Sequence, residues 1–439
     1  MSAPLTTEPA TERVKIGSYR WTICFLLFTA TTINYLDRQV VGILKPVLEE
    51  QFSWTESDYA AIVTAFTASY ALGMVVFGRI IDKIGTKMGY SLSIVVWSLA
   101  AMGHAIARTT FGFGVARAAL GVGESGNFPA AIKAVAEWFP KKERALATGL
   151  FNSGANVGAI AAPLLVPWIV VNYGWEEAFI ITGAVGFIWL IFWLIFYEIP
   201  SKQKRLGKGE FDYIHSDHDE APAEDNEKPL KWGKLLFIRQ TWVFIVGKFF
   251  TDPIWYFFLF WLPSYFSSTF ELNLSSLGLP LAIVYTATTV GSIGGGYLSS
   301  YLIRKGMPVV RARKTAMLII ALLVVPIMLA RYTSNMWVAV GLISLAAAAH
   351  QAWSANIFTT VSDMFPKRAV SSVVGIGGMA GSIGGALFPL FIGAVLDYYI
   401  NLGNLGAGYN IIFTVCAFAY LLAWVLMHFL TPREKLVQL

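Results

Sequence analysis

The chain has 439 residues, of which 56% are hydrophobic and only 14% charged, with a mean hydropathy of +0.59. A soluble globular protein carries about 25% charged residues. This composition therefore excludes a large soluble protein and points to an all-α membrane protein, because helices satisfy their own backbone polar groups in lipid. The two cysteines, Cys24 and Cys416, both fall in apolar stretches and offer neither a disulfide framework nor a metal spacing.

Apolar stretches of about 20 residues, the length that spans a bilayer, occur twelve times: 20–48, 57–80, 88–107, 110–138, 145–172, 177–198, 240–266, 277–302, 314–331, 336–364, 370–396 and 409–430. They divide the chain into a polar N-terminus (1–19), a six-helix bundle (20–198), a charged linker (199–238), a second six-helix bundle (239–430) and a C-terminal tail (431–439). The first apolar run is too long for a cleavable signal. Lys and Arg crowd the loops on one side, whereas the opposite side holds only Arg108 and Arg331. That asymmetry predicts both termini in the cytoplasm. It also explains the net charge of +6 by topology, with no nucleic-acid partner.

The linker carries His215, Asp217, His218 and Asp219, but their spacing fits no common metal site, and a solvated charge run is expected. The two halves repeat. AEWFPKKERALATGLFNSGANVGAIAAPLL (136–165) aligns with SDMFPKRAVSSVVGIGGMAGSIGGALFPLF (362–391) at an offset of 226, superimposing Phe139 on Phe365, Gly149 on Gly375 and Gly158 on Gly384. Two pseudo-symmetric six-helix repeats are a transporter architecture, with the substrate site near the midplane between them. Gly121, Gly123 and Gly126 spell G-x-G-x-x-G, but inside a helical stretch and without the strand a dinucleotide site requires. No nucleotide-binding P-loop, nucleophile–base pair or metal set argues for an ATP-driven pump or an enzyme. The sequon at Asn273 falls in a predicted outer loop.

Ionisable groups inside spans are functional by default. In the first span Asn34, Arg38 and Lys45 form one stripe, while Asp37 lies about 100° round the helix from Arg38. In the fourth, Arg117 and Glu124 are seven apart and share a face. A guanidinium can hold a carboxylate or phosphate through paired hydrogen bonds, and a carboxylate nearby can exchange a proton. A static ion-pair network between the two spans is the alternative. Lys133 is expected to pair with Glu137, four residues on. Lys248 and Asp252, also four apart and followed by Pro253, form either an internal pair or a second-half part of a site. Trp255 shares a face with Lys248 and is placed to pack on a sugar ring. His350, Gln351 and Asn356 are candidates for binding substrate hydroxyls or, equally, for interhelical hydrogen bonds.

GRIIDKIGTK (78–87) resembles the signature after the second helix of the major facilitator superfamily. The resemblance extends over nearly the whole chain. It implies that Gly78 and Gly85 permit close packing. It also implies that Asp82 locks the cytoplasmic side against the eleventh helix and the loop bearing Glu143 and Arg144. NYLDR, ARAALGVGESGNFP, EWFPKKERALATGLFNSG and KFFTDPIWYFFLFWLP are similar to the anion:cation symporter family, which includes bacterial sugar-acid transporters and animal sialin-type carriers. The last stretch, with HQAWSANIFTTVSDMFP, is most similar to hexuronate transporters. The match as a whole departs from aldonate transporters at Ala155, Phe358 and Gly378, which replace a glutamine, a tryptophan and an asparagine.

By this resemblance Arg38 and Arg117 bind the substrate carboxylate, Tyr35 and Tyr70 line the cavity, and Asp37 and Glu124 carry protons. The implied protein is a multi-pass bacterial inner-membrane symporter, functional as a monomer. It would import a hexuronate such as glucuronate or galacturonate, or a related aldonate, by alternating access. It would need no cofactor beyond the coupling proton. The alternative is an organic-anion or phosphate-ester exchanger on the same fold. An exchanger would need the arginines but not the titrating carboxylates.

Overall fold

The computed structural model describes residues 17–54, 56–216, 232–260, 262–271 and 278–431. The first half consists of α1 (Tyr19–Phe52), α2 (Glu56–Ile84), α3 (Thr86–Gly103), α4 (Thr110–Glu124), α5 (Asn127–Trp138), α6 (Lys141–Tyr173) and α7 (Trp175–Phe196). Two short helices follow, α8 (Lys208–Ile214) and α9 (Trp232–Leu236). The second half consists of α10 (Arg239–Phe260), α11 (Leu262–Phe270), α12 (Gly278–Arg304), α13 (Val309–Val324), α14 (Met336–Met364), α15 (Lys367–Asn401) and α16 (Leu405–Leu430). Among the described residues nine helices are both long and apolar enough to cross a membrane. The other three predicted spans are occupied by α1, by α4 with α5, and by α12. The sequon at Asn273 and residues Asp217, His218 and Asp219 lie outside the described residues, as does the Lys45 side chain.

In lipid, small residues set how closely helix backbones approach. The three glycines of the G-x-G-x-x-G string serve this purpose. A Cβ on Gly121 would stand 2.5 Å from the Phe66 carbonyl in α2, and one on Gly123 would stand 2.5 Å from the Trp97 nitrogen in α3. At Gly126 the obstacle is Ser93 Oγ. The break between α4 and α5 falls at Ser125 and Gly126. At the other end of α4, the Thr109 side chain accepts the Gly112 N–H at 3.0 Å and caps the helix. In α10, Pro253 has no N–H for the Phe249 carbonyl. That carbonyl instead packs against Gly384 of α15, where a Cβ would come within 2.6 Å.

The halves meet along α2–α15 and α6–α12, with further contact between α6 and α14. The superposition of Gly149 on Gly375 is realised in space. A side chain at Gly149 would collide with the Ser292 carbonyl of α12, and one at Gly375 with the Met74 carbonyl of α2.

The linker is more than a solvated charge run. Its helix α8 inserts Glu210, which is buried, beneath the start of α1. There Glu210 accepts the Tyr19 and Arg20 backbone N–H groups, each at 3.0 Å. Arg20 bonds Glu210 at 3.0 Å and Glu143 at 2.8 Å, and Tyr213 donates to Glu143 at 2.8 Å. An acidic side chain at exposed helical N–H groups is favourable electrostatically, and here it is supplied from 190 residues away. His215 Nδ1 lies 2.9 Å from the Phe211 carbonyl.

Candidate functional site

A cavity of about 490 Å³ opens between the two halves, within the range of roughly 300–1,000 Å³ common to small-molecule sites. From the first half, α1 contributes Tyr35 and Arg38, α2 contributes Phe66 and Tyr70, and α4 contributes Arg117. From the second half come Lys248, Asp252, Trp255 and Tyr256 of α10, and His350, Gln351 and Phe358 of α14. Both arginines therefore line the cavity. Both predicted proton carriers, Asp37 and Glu124, are buried behind that wall.

Arg38 has a fixed partner, which its spacing did not reveal. Nε and Nη2 both bond Glu124 Oε2 at 2.9 Å. Its guanidinium carbon lies 4.5 Å from the Tyr35 ring centre, 4.8 Å from Tyr70 and 5.1 Å from Phe66. Three aromatic faces stabilise a cation without neutralising it, so Glu124 is the group that balances the Arg38 charge. Arg117 does not pair with Glu124 along their shared face. Its Nη2 donates to the Arg38 carbonyl at 2.8 Å, and its guanidinium lies 4.8 Å from the Phe66 ring centre. An ion pair thus joins the first and fourth spans through Arg38 and Glu124.

Glu124 Oε1 and both Asp37 oxygens have no hydrogen-bond partner among the described residues. Glu124, Arg117 and Thr182 are the groups facing Asp37. A carboxyl group so placed requires a counter-charge or a proton.

In the second half Lys248 pairs with Asp252 at 2.8 Å, and its ammonium lies 4.3 Å from the Phe358 ring centre. Trp255 stacks on His350 with centroids 5.2 Å apart and planes at 7°. His350 Nδ1 bonds the Tyr420 hydroxyl at 2.5 Å, and Gln351 accepts from Asn152 of the first half at 2.9 Å. Asn356 does not reach the cavity. It is fully buried, and its Nδ2 bonds the Gly295 and Ala352 carbonyls, each at 2.9 Å. It ties α14 to α12, which corrects its assignment to the substrate. The cavity wall also includes Asn152 and Asn156, which the sequence patterns did not single out. Their spacing of four on one face of an apolar helix was the available signal.

The cavity is sealed at the end that carries the chain termini. Asp82 accepts the Ser372 N–H at 2.7 Å and the Ser371 N–H at 3.3 Å, both from α15. Its counter-ion is Lys133 at 3.0 Å, not the expected arrangement of Lys133 with Glu137. Glu137 instead accepts from Thr86 at 2.7 Å and from Tyr197. Arg144 reaches across to the Ser362 carbonyl at 2.5 Å and to Asp363 at 3.6 Å. Gly78 permits close packing, since a Cβ would stand 2.5 Å from the Ser371 carbonyl. Gly85 has open space around it, and its role is conformational: φ is +85°, which a side chain resists.

Two pseudo-symmetric helical bundles around a central cavity, sealed at one end by contacts between the halves, define a membrane transporter. The model of the Major Facilitator Superfamily matches residues 27–389, and the chain belongs to that superfamily of transporters, which are not enzymes. It is 35% identical over 385 residues to the hexuronate transporter of Escherichia coli (strain K12), covering 87% of this chain and 89% of that one. It is 35% identical over 284 residues to the galacturonate transporter of Dickeya chrysanthemi, covering 65% of this chain and 82% of that one. The structure of a proton:xylose symporter bound to 6-bromo-6-deoxy-D-glucose aligns with a TM-score of 0.72 at 15% identity, over 93% of this chain and 95% of that one.

Proposed function

We propose that this transporter is a proton-coupled symporter of a small sugar monoacid, a hexuronate such as glucuronate or galacturonate or a related aldonate. The observation that carries the proposal is the layering of the first half, with two arginines on the cavity wall and two carboxyl groups buried directly behind them. With both carboxyl groups ionised, Arg38, Arg117, Asp37 and Glu124 sum to zero. One proton gives the cluster a single positive charge, which one substrate carboxylate then neutralises. Proton and anion together leave the loaded cavity uncharged, as crossing a membrane interior favours.

The arriving carboxylate competes with Glu124 for the Arg38 guanidinium. Glu124, once displaced, is left buried without its counter-ion and is completed by a proton. Each ligand thus assists the other, and such coupling is reciprocal. Asp37 relays or shares the proton, since Glu124 and Arg117 both face it. Tyr35 and Tyr70 hold Arg38 in place, while Trp255, His350 and Gln351 offer the sugar one aromatic face and polar edges. Opening at the termini-bearing end requires release of the Asp82 and Arg144 contacts. The Lys and Arg asymmetry puts that end in the cytoplasm. The relatives' names support the substrate class.

The test is uptake into proteoliposomes of the full chain, across a panel of hexuronates, aldonates and sugar phosphates, with and without an inward proton gradient. Gradient-driven accumulation of a sugar monoacid is expected. Strict exchange of phosphate esters or other organic anions, indifferent to the gradient, would overturn the proposal in favour of an antiporter.

A further inference from the structure

The cavity contains one more cation, Lys248, on the wall opposite the arginines. It is neutralised within its own helix by Asp252 at 2.8 Å. The pair is built in. Lys248 and Asp252 are four apart on α10, and Lys248 is packed over the Phe358 ring. The Asp252 carboxylate occupies the space where a Cβ at Gly381 of α15 would stand. Asp252 lines the same cavity as Arg38, together with Tyr35 and Tyr256, so the carboxylate faces the same space as the guanidinium.

We propose that Asp252 sets the charge class of the substrate: by cancelling Lys248, it makes the cavity select monocarboxylate sugar acids over dicarboxylate ones. The inference rests on the sugar-acid reading above and names the residue that refines it. A sugar acid carrying one carboxylate places it at Arg38 and Arg117 and turns its hydroxyl-bearing end to the second half. That wall offers aromatic faces, amide and imidazole edges, and an ion pair with no net charge. A dicarboxylate of the same length brings its second charge to this wall, where Asp252 repels it and Lys248 is already engaged. Removing only the Asp252 charge would turn the wall into a second anion site. With one proton on the first half, the cavity would then balance two carboxylates instead of one. Discrimination of this kind works through a repulsive group placed against the wrong ligand.

The test is equilibrium binding of galacturonate and galactarate to the purified full chain at one fixed pH. Binding is read instead of uptake, so the driving force of a proton gradient stays out of the measurement, and the fixed pH holds the proton activity equal for both acids. Wild type is expected to prefer galacturonate. Asp252→Asn keeps the shape and leaves Lys248 uncompensated. It should move the affinity ratio toward galactarate by at least about tenfold, the scale of one uncompensated charge in a partly buried site. The double variant Lys248→Met with Asp252→Asn is neutral again and should return the ratio to that of wild type. Asp252→Ser serves the same purpose should the asparagine variant fail to fold.

An unchanged ratio in Asp252→Asn, or a gain that persists in the double variant, overturns the inference while wild-type galacturonate binding leaves the sugar-acid reading standing. Equal wild-type affinity for the two acids also overturns the inference alone. Wild type that binds neither acid overturns the inference, and overturns the sugar-acid reading as well if glucuronate and galactonate are not bound either.

Discussion

Gly149 of α6 and Gly375 of α15 hold equivalent places in the two halves, each pressed against a backbone carbonyl of the other half. The side chains lining the cavity between them share almost nothing. The first half places two arginines on the wall and two carboxyl groups behind it. The second half carries stacked Trp255 and His350, Gln351, and an ion pair closed on itself. Scaffold symmetry serves the rocking of one bundle against the other, which needs matching close contacts along α2–α15 and α6–α12. On the proposed function, chemical asymmetry lets one half handle charge while the other reads the neutral end of the substrate.

The sharpest way to break this division is to remove charge from the first half alone. Glu124→Gln should abolish uptake driven by a proton gradient, because the group that exchanges with the substrate for Arg38 can no longer take up and release a proton. Exchange of labelled for unlabelled substrate should survive, since it requires no net proton movement. Asp37→Asn is expected to impair both. Gradient-driven accumulation and counterflow, measured side by side in proteoliposomes, check this. Wild-type accumulation in Glu124→Gln would make the Arg38–Glu124 pair structural and move coupling to Asp37 or Asp252.

The next largest effect is expected at the arginines. Arg38→Ala or Arg117→Ala should cost about 2–5 kcal/mol of substrate binding, the range for removing one partner of a buried charge pair. Lysine should rescue only in part, because it lacks the planar fork. Equilibrium binding reads this directly, and near-normal affinity in Arg117→Ala would put the anion elsewhere. The effect at Arg38 should be the less pure of the two, since its loss also strands Glu124.

The helical spans, the repeat and the charged residues inside the membrane were legible in the sequence because each leaves a linear mark: a run of apolar residues, an offset of 226, a charge where lipid tolerates few. Partners were not legible. Arg117 and Glu124 share a helical face, yet Glu124 goes to Arg38 on α1. Lys133 precedes Glu137 by four residues, yet bonds Asp82 on α2. Helical spacing tells which residues point the same way and is silent on what stands opposite. The docking of Glu210 onto α1 was hidden for a related reason, since a charged linker looks the same in sequence whether it is solvated or bonded to a helix end.

A smaller and more global change is expected at the sealed end. Asp82→Asn removes the charge that accepts the Ser371 and Ser372 N–H groups and balances Lys133. Site chemistry should be untouched, while the population opened at the termini-bearing end should grow. Distances across that end, measured by double electron–electron resonance, should broaden toward longer values. Unchanged distributions would show that Arg144 with Asp363, and Arg313 with the Lys141 carbonyl, hold the end closed unaided.

The smallest effect is expected at Asn356, and it sharpens the comparison because it marks where the second half's binding wall stops. Asn356 and Gln351 lie on the same helix, but Gln351 lines the cavity whereas Asn356 is fully buried between α14 and α12. Of its two hydrogen bonds to carbonyls, the one to Gly295 of α12 is interhelical, a kind that contributes about 0.6 kcal/mol on average in a membrane protein, and the one to Ala352 stays within α14. Asn356→Ala should therefore lower the melting temperature modestly and leave substrate affinity within about twofold, well below the tenfold that 1.4 kcal/mol represents. Gln351→Ala should do the reverse, weakening binding while costing little stability, although it also removes the Asn152 bond between the halves. Melting temperature and dissociation constant, measured on both variants, separate the two roles. A tenfold loss of affinity in Asn356→Ala would extend the binding wall behind α14 and restore Asn356 to the site.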